Sequence, residues 1–414
     1  MAVIDIVEWI DRWAGPGQVW YVKRLSHNDT QKTRGHQAGP YIPKELLFRL
    51  FPNLNQPTQK NPRIEFSLYI DSHADHRRVQ AIWYNNKLNT SGGTRNETRL
   101  TGFGGSESAF LDPDSAGSIA VFVFCLGSSQ TETHCHAWIC RHGIEEDIVE
   151  DYVGVLLPKR AIVWPSHHPS MSGVLPQPTT LAQRCYLGPE EMPPSWLKHY
   201  PSTREVVGKT VELTSVISGL PPDNRILRRV ECEFELFRSV EEFHELPVIV
   251  GGFQNLESFL DRAKSVTQRR RVRAGLSLEL HAREIFLEEG LVEGRDFEYQ
   301  AYSEGRKRPD FLFPSGTAYA NDAYPQQSLA MLAVKRTTKD RWRQILNEAD
   351  RVTRKHLFTI QDTISETQIR EMINANVGLV VPRSMIDAYP PSFRDGLLTL
   401  EDFISHVRVL QGPK

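Results

Sequence analysis

The C-terminal half contains Arg308-Pro309-Asp310-Phe311-Leu312-Phe313-Pro314, then Leu332-Ala333-Val334-Lys335, then Arg341-Trp342-Arg343-Gln344-Ile345-Leu346-Asn347-Glu348. The first two stretches are short apolar runs that predict strands, with an Asp before one strand and a Lys after the next. The third predicts a helix from Arg341 to Arg354, on which Trp342, Ile345, Ala349 and Val352 form an apolar stripe. Polar ends of neighbouring elements can therefore meet at one edge of a sheet.

Asp310, Lys335 and Glu348 are the residue types that phosphodiester hydrolysis requires. Carboxylate oxygens are the ligands that Mg²⁺ prefers, and a nearby ammonium group can stabilise the charged transition state. Each residue alone also has an ordinary structural explanation, as a turn Asp, a surface Lys or a solvated helix Glu. Their order along the chain is what favours a catalytic interpretation.

The pattern of apolar residues divides the chain into two parts. Short β-prone runs occur at Val19 to Val22, Arg63 to Ile70, Val79 to Tyr84, Ile119 to Leu126 and Ala137 to Cys140. Helical periodicity follows at Ser239 to Leu246, Leu256 to Arg271, Leu276 to Glu289 and Arg341 to Arg354, interleaved with strand-like runs. We expect a multidomain protein with an all-β barrel or sandwich over residues 1–175, a Pro-rich linker over 176–200 and an α/β domain, a mixed sheet flanked by helices, over 201–414.

Composition indicates a globular protein. The 414 residues are 40% hydrophobic and 24% charged, and the longest apolar run, Ile119 to Leu126, is too short to span a membrane. The N-terminus lacks the basic and apolar regions of a signal peptide, so we expect a cytoplasmic protein with no membrane partner. The formal net charge of −2 does not exclude nucleic acid, because a basic face can coexist with an acidic remainder.

The five cysteines favour reduced thiols over a disulfide framework, because they are few, odd in number and dispersed. His134-Cys135-His136-Ala137-Trp138-Ile139-Cys140 contains soft ligands and could suggest zinc. Its spacing fits no common zinc pair, and alternation along a strand would send Cys135 and His136 to opposite faces. We therefore interpret this segment as an ordinary strand.

The order strand-Asp, strand-Lys, helix-Glu resembles the PD…(D/E)xK nuclease superfamily. The acidic residue usually found two positions before the Lys is Ala333 here, so Glu348 would replace it. Longer runs resemble EcoRII-like type II restriction endonucleases, namely Ser277 to His281, Lys307 to Ser315, Leu332 to Lys335, Lys339 to Asp350 and Leu357 to Thr359, together with Tyr21 to Ser26, Asn28 to Thr30, Gly35 to Gln37, Tyr41 to Pro43 and Thr94 to Glu97. The resemblance covers nearly the whole chain.

That resemblance implies an N-terminal B3-like pseudobarrel that binds effector DNA and a C-terminal restriction-endonuclease-like domain. It further implies a Mg²⁺-dependent homodimer that cuts double-stranded DNA at a CCWGG or CCNGG-type sequence, is activated by further copies of the site, and works beside a cognate DNA methyltransferase. Asp310, Lys335 and Glu348 would be catalytic, with Tyr319 and Lys339 as active-site neighbours. Asp310, Glu348 and Glu279 would hold the metal.

Several further residues are candidates for DNA contacts. Asp340, Arg341 and Arg343 suit a G·C-rich target, because Arg binds guanine bidentately and a carboxylate accepts from cytosine. The cluster Gln268-Arg269-Arg270-Arg271-Val272-Arg273 favours phosphate contacts, or else a solvated helix end. Two polar loops of the N-terminal domain would grip effector DNA, through Lys23, Arg24, Asn28, Lys32, Arg34, Arg95, Asn96, Glu97 and Arg99. Arg228 and Cys232 match a region that handles the central base pair in the family, although Cys232 stands where an aromatic residue is expected.

Two other functions remain open at this stage. One is a DNA-binding regulator that keeps the B3-like module and an inactive nuclease scaffold, although the intact Asp310, Lys335 and Glu348 count against it. The other is a repair or structure-specific nuclease on the same scaffold, since fold alone does not fix function. Such a nuclease would have no use for Asp340, Arg341 and Arg343 as base-reading residues.

Overall fold

The computed structural model describes residues 5–15, 18–30, 39–104, 107–127, 133–164 and 180–412. They form two compact units, each built around its own sheet. The first comprises the described residues within Met1–Gln177, Asp362–Ile369 and Ala388–Pro390, and the second comprises those within Pro178–Gln361, Arg370–Asp387 and Pro391–Lys414. Among the described helices, none is both long enough and apolar enough to cross a membrane.

The first unit is built on a seven-stranded sheet in the order β4-β3-β2-β6-β5-β1-β7. Neighbouring strands are antiparallel except for β2 and β6, which are parallel. The strands are β1 (Gln18–Arg24), β2 (Arg63–Ile70), β3 (Asp75–Tyr84), β4 (Glu97–Thr101), β5 (Ile119–Cys125), β6 (His134–Ile139) and β7 (Ala161–Trp164). The helices are α1 (Ile6–Trp13), α2 (His27–Thr30), α3 (Lys44–Leu50), α4 (Asn86–Asn89) and α5 (Gly143–Val153).

Both faces of this sheet are buried in its central strands. Alternate residues of β1 and β5 enter two separate cores, with Tyr21 and Phe122 in one and Trp20 and Val121 in the other. Helix α3 covers the first core and helix α1 covers the second. The expectation of an all-β domain is therefore too narrow, because helices supply the layers that shield the sheet.

The second unit is built on a five-stranded mixed sheet in the order β12-β11-β10-β9-β8, where β10, β11 and β12 are parallel and β8, β9 and β10 are antiparallel. The strands are β8 (Glu298–Tyr299), β9 (Phe311–Phe313), β10 (Ala330–Val334), β11 (Lys355–Phe358) and β12 (Val377–Val380). The remaining helices are α6 (Thr180–Arg184), α7 (Thr203–Leu213), α8 (Pro222–Gly251), α9 (Leu256–Glu288), α10 (Gly316–Ala320), α11 (Glu366–Asn374) and α12 (Leu400–Gln411).

Helices pack on this sheet as predicted for an α/β domain. Ile285 and Phe286 of α9 and Phe403 of α12 share a core with Phe311 and Leu332 of the sheet. Leu256 to Arg271 and Leu276 to Glu289 were expected to be separate helices, but they form the single helix α9. Gly275 costs only about 1 kcal/mol in a helix interior, so it does not interrupt this one.

The predicted helix from Arg341 to Arg354 is wrong. A 3-10 helix spans Arg341–Asn347, Glu348 is extended and Ala349 has a φ of 49°. The apolar stripe is nevertheless buried, as expected. The backbone N–H groups of Asp350 and Arg351 donate to the side chains of Glu304 and Tyr319, so they do not continue a helical ladder.

The cysteines differ from the expectation of reduced thiols. Cys185 and Cys232 form a disulfide that joins the segment after α6 to helix α8, while Cys125, Cys135 and Cys140 are not disulfide-bonded. Residues 165–179 of the Pro-rich region lie outside the described residues, and from residue 180 the chain is packed against α8 through Cys185, Leu187 and Trp196. The segment His134–Ile139 is a strand, with Cys135 buried and His136 partly exposed on opposite faces, which confirms the strand interpretation.

Candidate active site and DNA-contacting residues

Asp310 and Lys335 meet at the ends of β9 and β10. Antiparallel pairing aligns Phe311 with Leu332, so the residue before β9 lies close to the residues that end β10. Oδ2 of Asp310 accepts hydrogen bonds from the backbone N–H of Val334 at 2.7 Å and from Nζ of Lys335 at 2.9 Å. The register between β9 and β10 therefore brings Asp310 and Lys335 into contact.

Lys335 is held in its charged form. Burial disfavours the ammonium, but the negative charge and hydrogen bond of Asp310 outweigh it, so the pKa of Lys335 is raised above its usual value. Glu279 and Glu348 add to this effect. Lys335 therefore supplies a fixed positive charge among three carboxylates.

Glu279 projects from the buried face of α9 towards the same ion pair. Burial and the negative charge of Asp310 raise the pKa of Glu279 to about 7, while Lys335 opposes that rise. Its Oε2 atom accepts hydrogen bonds from the hydroxyl of Tyr299 at 3.0 Å and from Nε2 of Gln300 at 3.2 Å. Tyr299 and Gln300 could not be predicted from the sequence, because residues 20 and 21 positions after Glu279 carry no motif that links them to it.

Glu348 also faces this group of charges. Burial and Asp310 raise the pKa of Glu348, while Lys335 and the lysines at positions 355 and 307 lower it. Glu348 therefore stands near Asp310 although it is not on a helix. Within the described part of the chain, no three His, Cys, Asp or Glu side chains are arranged around a common metal position. The mutual repulsion of Glu279, Glu348 and Asp310 is nevertheless what a divalent cation would neutralise, so the donor set fits a hard metal ion.

Tyr319 and Lys339 both lie between Asp310 and Glu348 in the sequence. Tyr319 is buried on α10, and its hydroxyl donates to Glu304 and accepts from the N–H of Arg351 at 3.1 Å. Lys339 has a φ of 21° in the turn that leads into the 3-10 helix. That turn is anchored at Thr338, whose N–H and hydroxyl both donate to Oε1 of Gln361, at 2.7 and 3.0 Å.

The candidate base-reading residues occupy the start of the 3-10 helix. Asp340 is exposed, and Arg341 lies within 3.4 Å of the hydroxyl of Thr337. Arg343 is exposed, lies over the ring of Trp342 and donates to Oε2 of Glu371 at 2.6 Å. Arg341 and Arg343 lie on the 3-10 helix, which Asp340 immediately precedes and Glu348 immediately follows.

Arg228 and Cys232 are not equivalent in the structure. Arg228 is exposed on α8 and lies 3.9 Å from Glu231. Cys232 is fully buried and bonded to Cys185, so it offers no surface for contact with a base. The structure thus leaves Arg228 alone as a surface candidate of this pair.

The basic cluster on α9 forms ion pairs with α8. Arg269 donates to Glu245 at 2.5 Å, Arg270 to Glu241 at 2.5 Å and Arg273 to Glu233 at 2.6 Å. Burial of Glu233 opposes its ionisation, yet Arg273 and His281 lower its pKa to about 2. Neither expected use of the cluster describes these three residues, whose charges join two helices.

The candidate effector-binding residues of the first unit fall into two groups. Lys23 and Arg24 are buried, in ion pairs with Asp29 at 2.7 Å and Glu146 at 2.9 Å. The remaining described candidates lie nearer the surface: Nη1 of Arg99 donates to the carbonyl of Asn28 at 3.2 Å, and Nε1 of Trp83 donates to the exposed Asn96 at 2.9 Å. Arg95 lies over the ring of Tyr84, and Glu97 and Arg99 are within strand β4, where a loop was expected. Lys32 and Arg34 lie outside the described residues.

The Asp310–Lys335 pair at the ends of two neighbouring strands of a mixed sheet, with Glu279 and Glu348 around it, is typical of nucleases of the restriction-endonuclease class. Residues 14–168 match the family model "Restriction endonuclease EcoRII, N-terminal" and residues 237–404 match "EcoRII C terminal". Over 402 residues the chain is 39% identical to the type II restriction enzyme EcoRII of Escherichia coli, covering 96% of each protein. The chain therefore belongs to the EcoRII family of type II restriction enzymes, which are site-specific DNA endonucleases.

Solved structures show weaker similarity. Metal-depleted Ecl18kI in complex with uncleaved, modified DNA has 18% identity and a TM-score of 0.42, covering 51% of this chain and 79% of that one. The UbaLAI restriction endonuclease B3 domain with cognate DNA has 16% identity and a TM-score of 0.26, covering 38% of this chain and 97% of that one.

Proposed function

We propose that this restriction enzyme is a Mg²⁺-dependent endonuclease that cuts duplex DNA at a CCWGG or CCNGG-type sequence. The observation that carries the proposal is the Asp310–Lys335 ion pair of 2.9 Å, surrounded by two further carboxylates with raised pKa values. Membership of the EcoRII family supports the type of target.

The catalytic roles follow from the charges at the site. Asp310, Glu348 and Glu279 would hold Mg²⁺, which as a Lewis acid would polarise the scissile phosphate and activate the attacking water. Lys335 stays protonated at neutral pH and stabilises the negative charge that develops on the phosphate oxygens. Asp310 orients Lys335, and the Val334 N–H fixes Asp310 in turn.

Recognition and regulation complete the proposal. Asp340, Arg341 and Arg343 contact the target bases and Arg228 contacts DNA near the central base pair, while Tyr319 and Lys339 border the active site. The first unit is a B3-like pseudobarrel that binds effector copies of the site through Asn28, Arg95, Asn96, Glu97 and Arg99. The enzyme acts in the cytoplasm as a homodimer, beside a DNA methyltransferase that protects the same sequence.

The test is digestion of phage DNA by the purified protein with Mg²⁺, with and without an effector oligonucleotide, followed by sequencing of the fragment ends. We expect one shared CC…GG motif at every end, and no cleavage by the Asp310→Ala variant. Ends without a common motif would indicate a structure-specific nuclease. Intact DNA in every reaction would indicate a non-catalytic DNA-binding protein.

A further inference from the structure

The backbone reverses immediately after Glu348. Glu348 is extended, the buried Ala349 has a φ of 49°, and the N–H of Val352 donates to the carbonyl of Ala349 at 2.9 Å. A left-handed conformation costs a residue other than Gly roughly 1–2 kcal/mol. Surrounding groups must therefore hold this turn in place.

Two side chains from other segments accept the N–H groups of the turn. Oε1 of Glu304 accepts from the N–H of Asp350 at 3.0 Å and also from the hydroxyl of Tyr319. The Tyr319 hydroxyl accepts in turn from the N–H of Arg351 at 3.1 Å. Glu304 thus binds the turn both directly and through Tyr319.

The side chain of Arg351 fastens the same turn to the end of α10. Its guanidinium donates to the carbonyl of Tyr319, to that of Asn321 at 3.0 Å and to that of Tyr324 at 3.0 Å. The planar group also lies over the Tyr319 ring, with its centre 5.6 Å from the ring centroid. The planar guanidinium of an Arg has donors in fixed directions that can reach three such carbonyls, whereas the compact ammonium of a Lys cannot replace it there.

We propose that Glu304 and Arg351 are positioning residues that fix the direction of Glu348 towards Asp310 and Lys335. The inference rests on the proposed function of Glu348 as a metal-holding carboxylate. Glu304 and Arg351 touch neither metal nor DNA in this proposal, and they act only through the turn at Ala349. Loss of either residue should therefore weaken metal binding more than it weakens DNA binding.

The test compares Glu304→Ala with Glu304→Gln, because Gln keeps an oxygen that can accept both hydrogen bonds. The matched control is Glu298→Ala, since Oε2 of Glu298 accepts the N–H of Gly316 at the other end of α10, at 2.8 Å, but does not bond to the turn. Mg²⁺ and Mn²⁺ binding is measured without DNA by calorimetry and by metal-induced thermal stabilisation, and the Mg²⁺ midpoint of cleavage is measured separately.

We expect Glu304→Ala to raise the metal concentration at half-saturation and the Mg²⁺ midpoint of cleavage about tenfold, because loss of a group that orients a metal ligand typically costs about 10–100-fold in metal affinity or activity. Glu304→Gln and Glu298→Ala should keep the wild-type midpoints. If Glu304→Ala fails to fold, Arg351→Lys takes its place and should shift the midpoints in the same direction. Combining either variant with Glu348→Gln should add nothing to the loss that Glu348→Gln causes alone, because both act through one carboxylate.

Unchanged metal midpoints in both Glu304→Ala and Arg351→Lys, together with loss of metal binding in Glu348→Gln, would overturn the positioning role and leave the proposed function intact. Full cleavage and metal binding by Glu348→Gln would instead overturn the proposed role of Glu348. The two failures are therefore distinguishable.

Discussion

Nζ of Lys335 lies 2.9 Å from Oδ2 of Asp310, so an ion pair joins the ends of two neighbouring strands. The same carboxylate oxygen accepts the N–H of Val334. A metal ion that takes Asp310 as a ligand must therefore share this carboxylate with Lys335. In the proposed mechanism, the ammonium of Lys335 and the carboxylate of Asp310 would therefore act as one coupled pair.

Replacing Lys335 with Met should slow cleavage strongly and spare DNA binding. Met keeps the apolar stem of the side chain but removes the charge that stabilises the phosphate, and loss of one such group typically costs about 10²–10³-fold in rate. Single-turnover cleavage with saturating Mg²⁺ measures the rate, and gel-shift titration without metal measures the affinity. Lys335→Arg serves as the control that keeps the charge; cleavage by Lys335→Met at the wild-type rate would contradict the role.

The metal-free enzyme should lose stability as pH rises from about 5 to 8. The pKa of Glu279 is raised to about 7, so the folded protein binds a proton there that the unfolded chain has already released. Stability gained from this proton is present below the unfolded pKa and is lost as pH rises through the folded value. At about 1.4 kcal/mol per pKa unit the loss is on the order of 1–3 kcal/mol.

Thermal unfolding in chelator at several pH values checks this dependence. Glu279→Gln should flatten the profile, since a neutral amide has no proton to lose. Added Mg²⁺ should restore stability at high pH in the wild type only. A wild-type profile as flat as that of the variant would show that Glu279 titrates normally.

Local sequence patterns predicted most of the sheet in each unit. Strands Ile119–Cys125 and Ala330–Val334 are largely buried on both faces, so their sequences are continuous apolar runs that can be recognised without the structure. The positions of Asp310 and Lys335 follow from that pattern, because strand ends in register meet. The same argument predicts that the side chains of Asp310 and Lys335 lie close enough to form an ion pair.

Contacts between distant residues were not predictable. The helix expected from Arg341 to Arg354 ends at Asn347 because Glu304 and Tyr319, more than 25 residues earlier, take the N–H groups of the following turn. The ion pairs between the Arg cluster at 269–273 and the glutamates of α8 were equally unpredictable, because the partners lie on another helix. Periodicity detects an apolar stripe but cannot show which distant side chain competes for a backbone group or a charge.

Thiol titration should distinguish the disulfide from five reduced cysteines. With Cys185 and Cys232 bonded, denatured protein should show three reactive thiols without reductant and five after reduction. Reduction should also lower the melting temperature, because closing a loop of this length stabilises a protein by about 4 kcal/mol in the chain-entropy description. Cys232→Ser should reproduce the reduced melting temperature, whereas five thiols without reductant would show that the bond does not form.

Arg270→Gln should lower stability without changing the salt dependence of DNA binding. The guanidinium is already paired with Glu241, so it neutralises a carboxylate and not a phosphate. We expect a loss of about 1 kcal/mol, because the pair is partly exposed to solvent. Each phosphate contact contributes about 0.9 to the slope of log K against log salt, so a slope reduced by that amount would show that Arg270 does contact DNA.

Arg343→Lys should relax sequence specificity more than it weakens overall binding. Lys keeps the positive charge but cannot bind guanine bidentately, and a good bidentate contact discriminates against a wrong base pair by about 1–3 kcal/mol. Cleavage of substrates with single substitutions in the target measures the discrimination at each position, and binding to non-specific DNA measures the contribution of charge.

In the structure Arg343 pairs with Glu371 at 2.6 Å, so this ion pair must open before a base can be bound. Glu371→Gln should therefore strengthen specific binding by up to a few-fold, since an exposed ion pair is worth about 0–1 kcal/mol. Equal losses on cognate and substituted sites in Arg343→Lys would place Arg343 on the phosphate backbone instead.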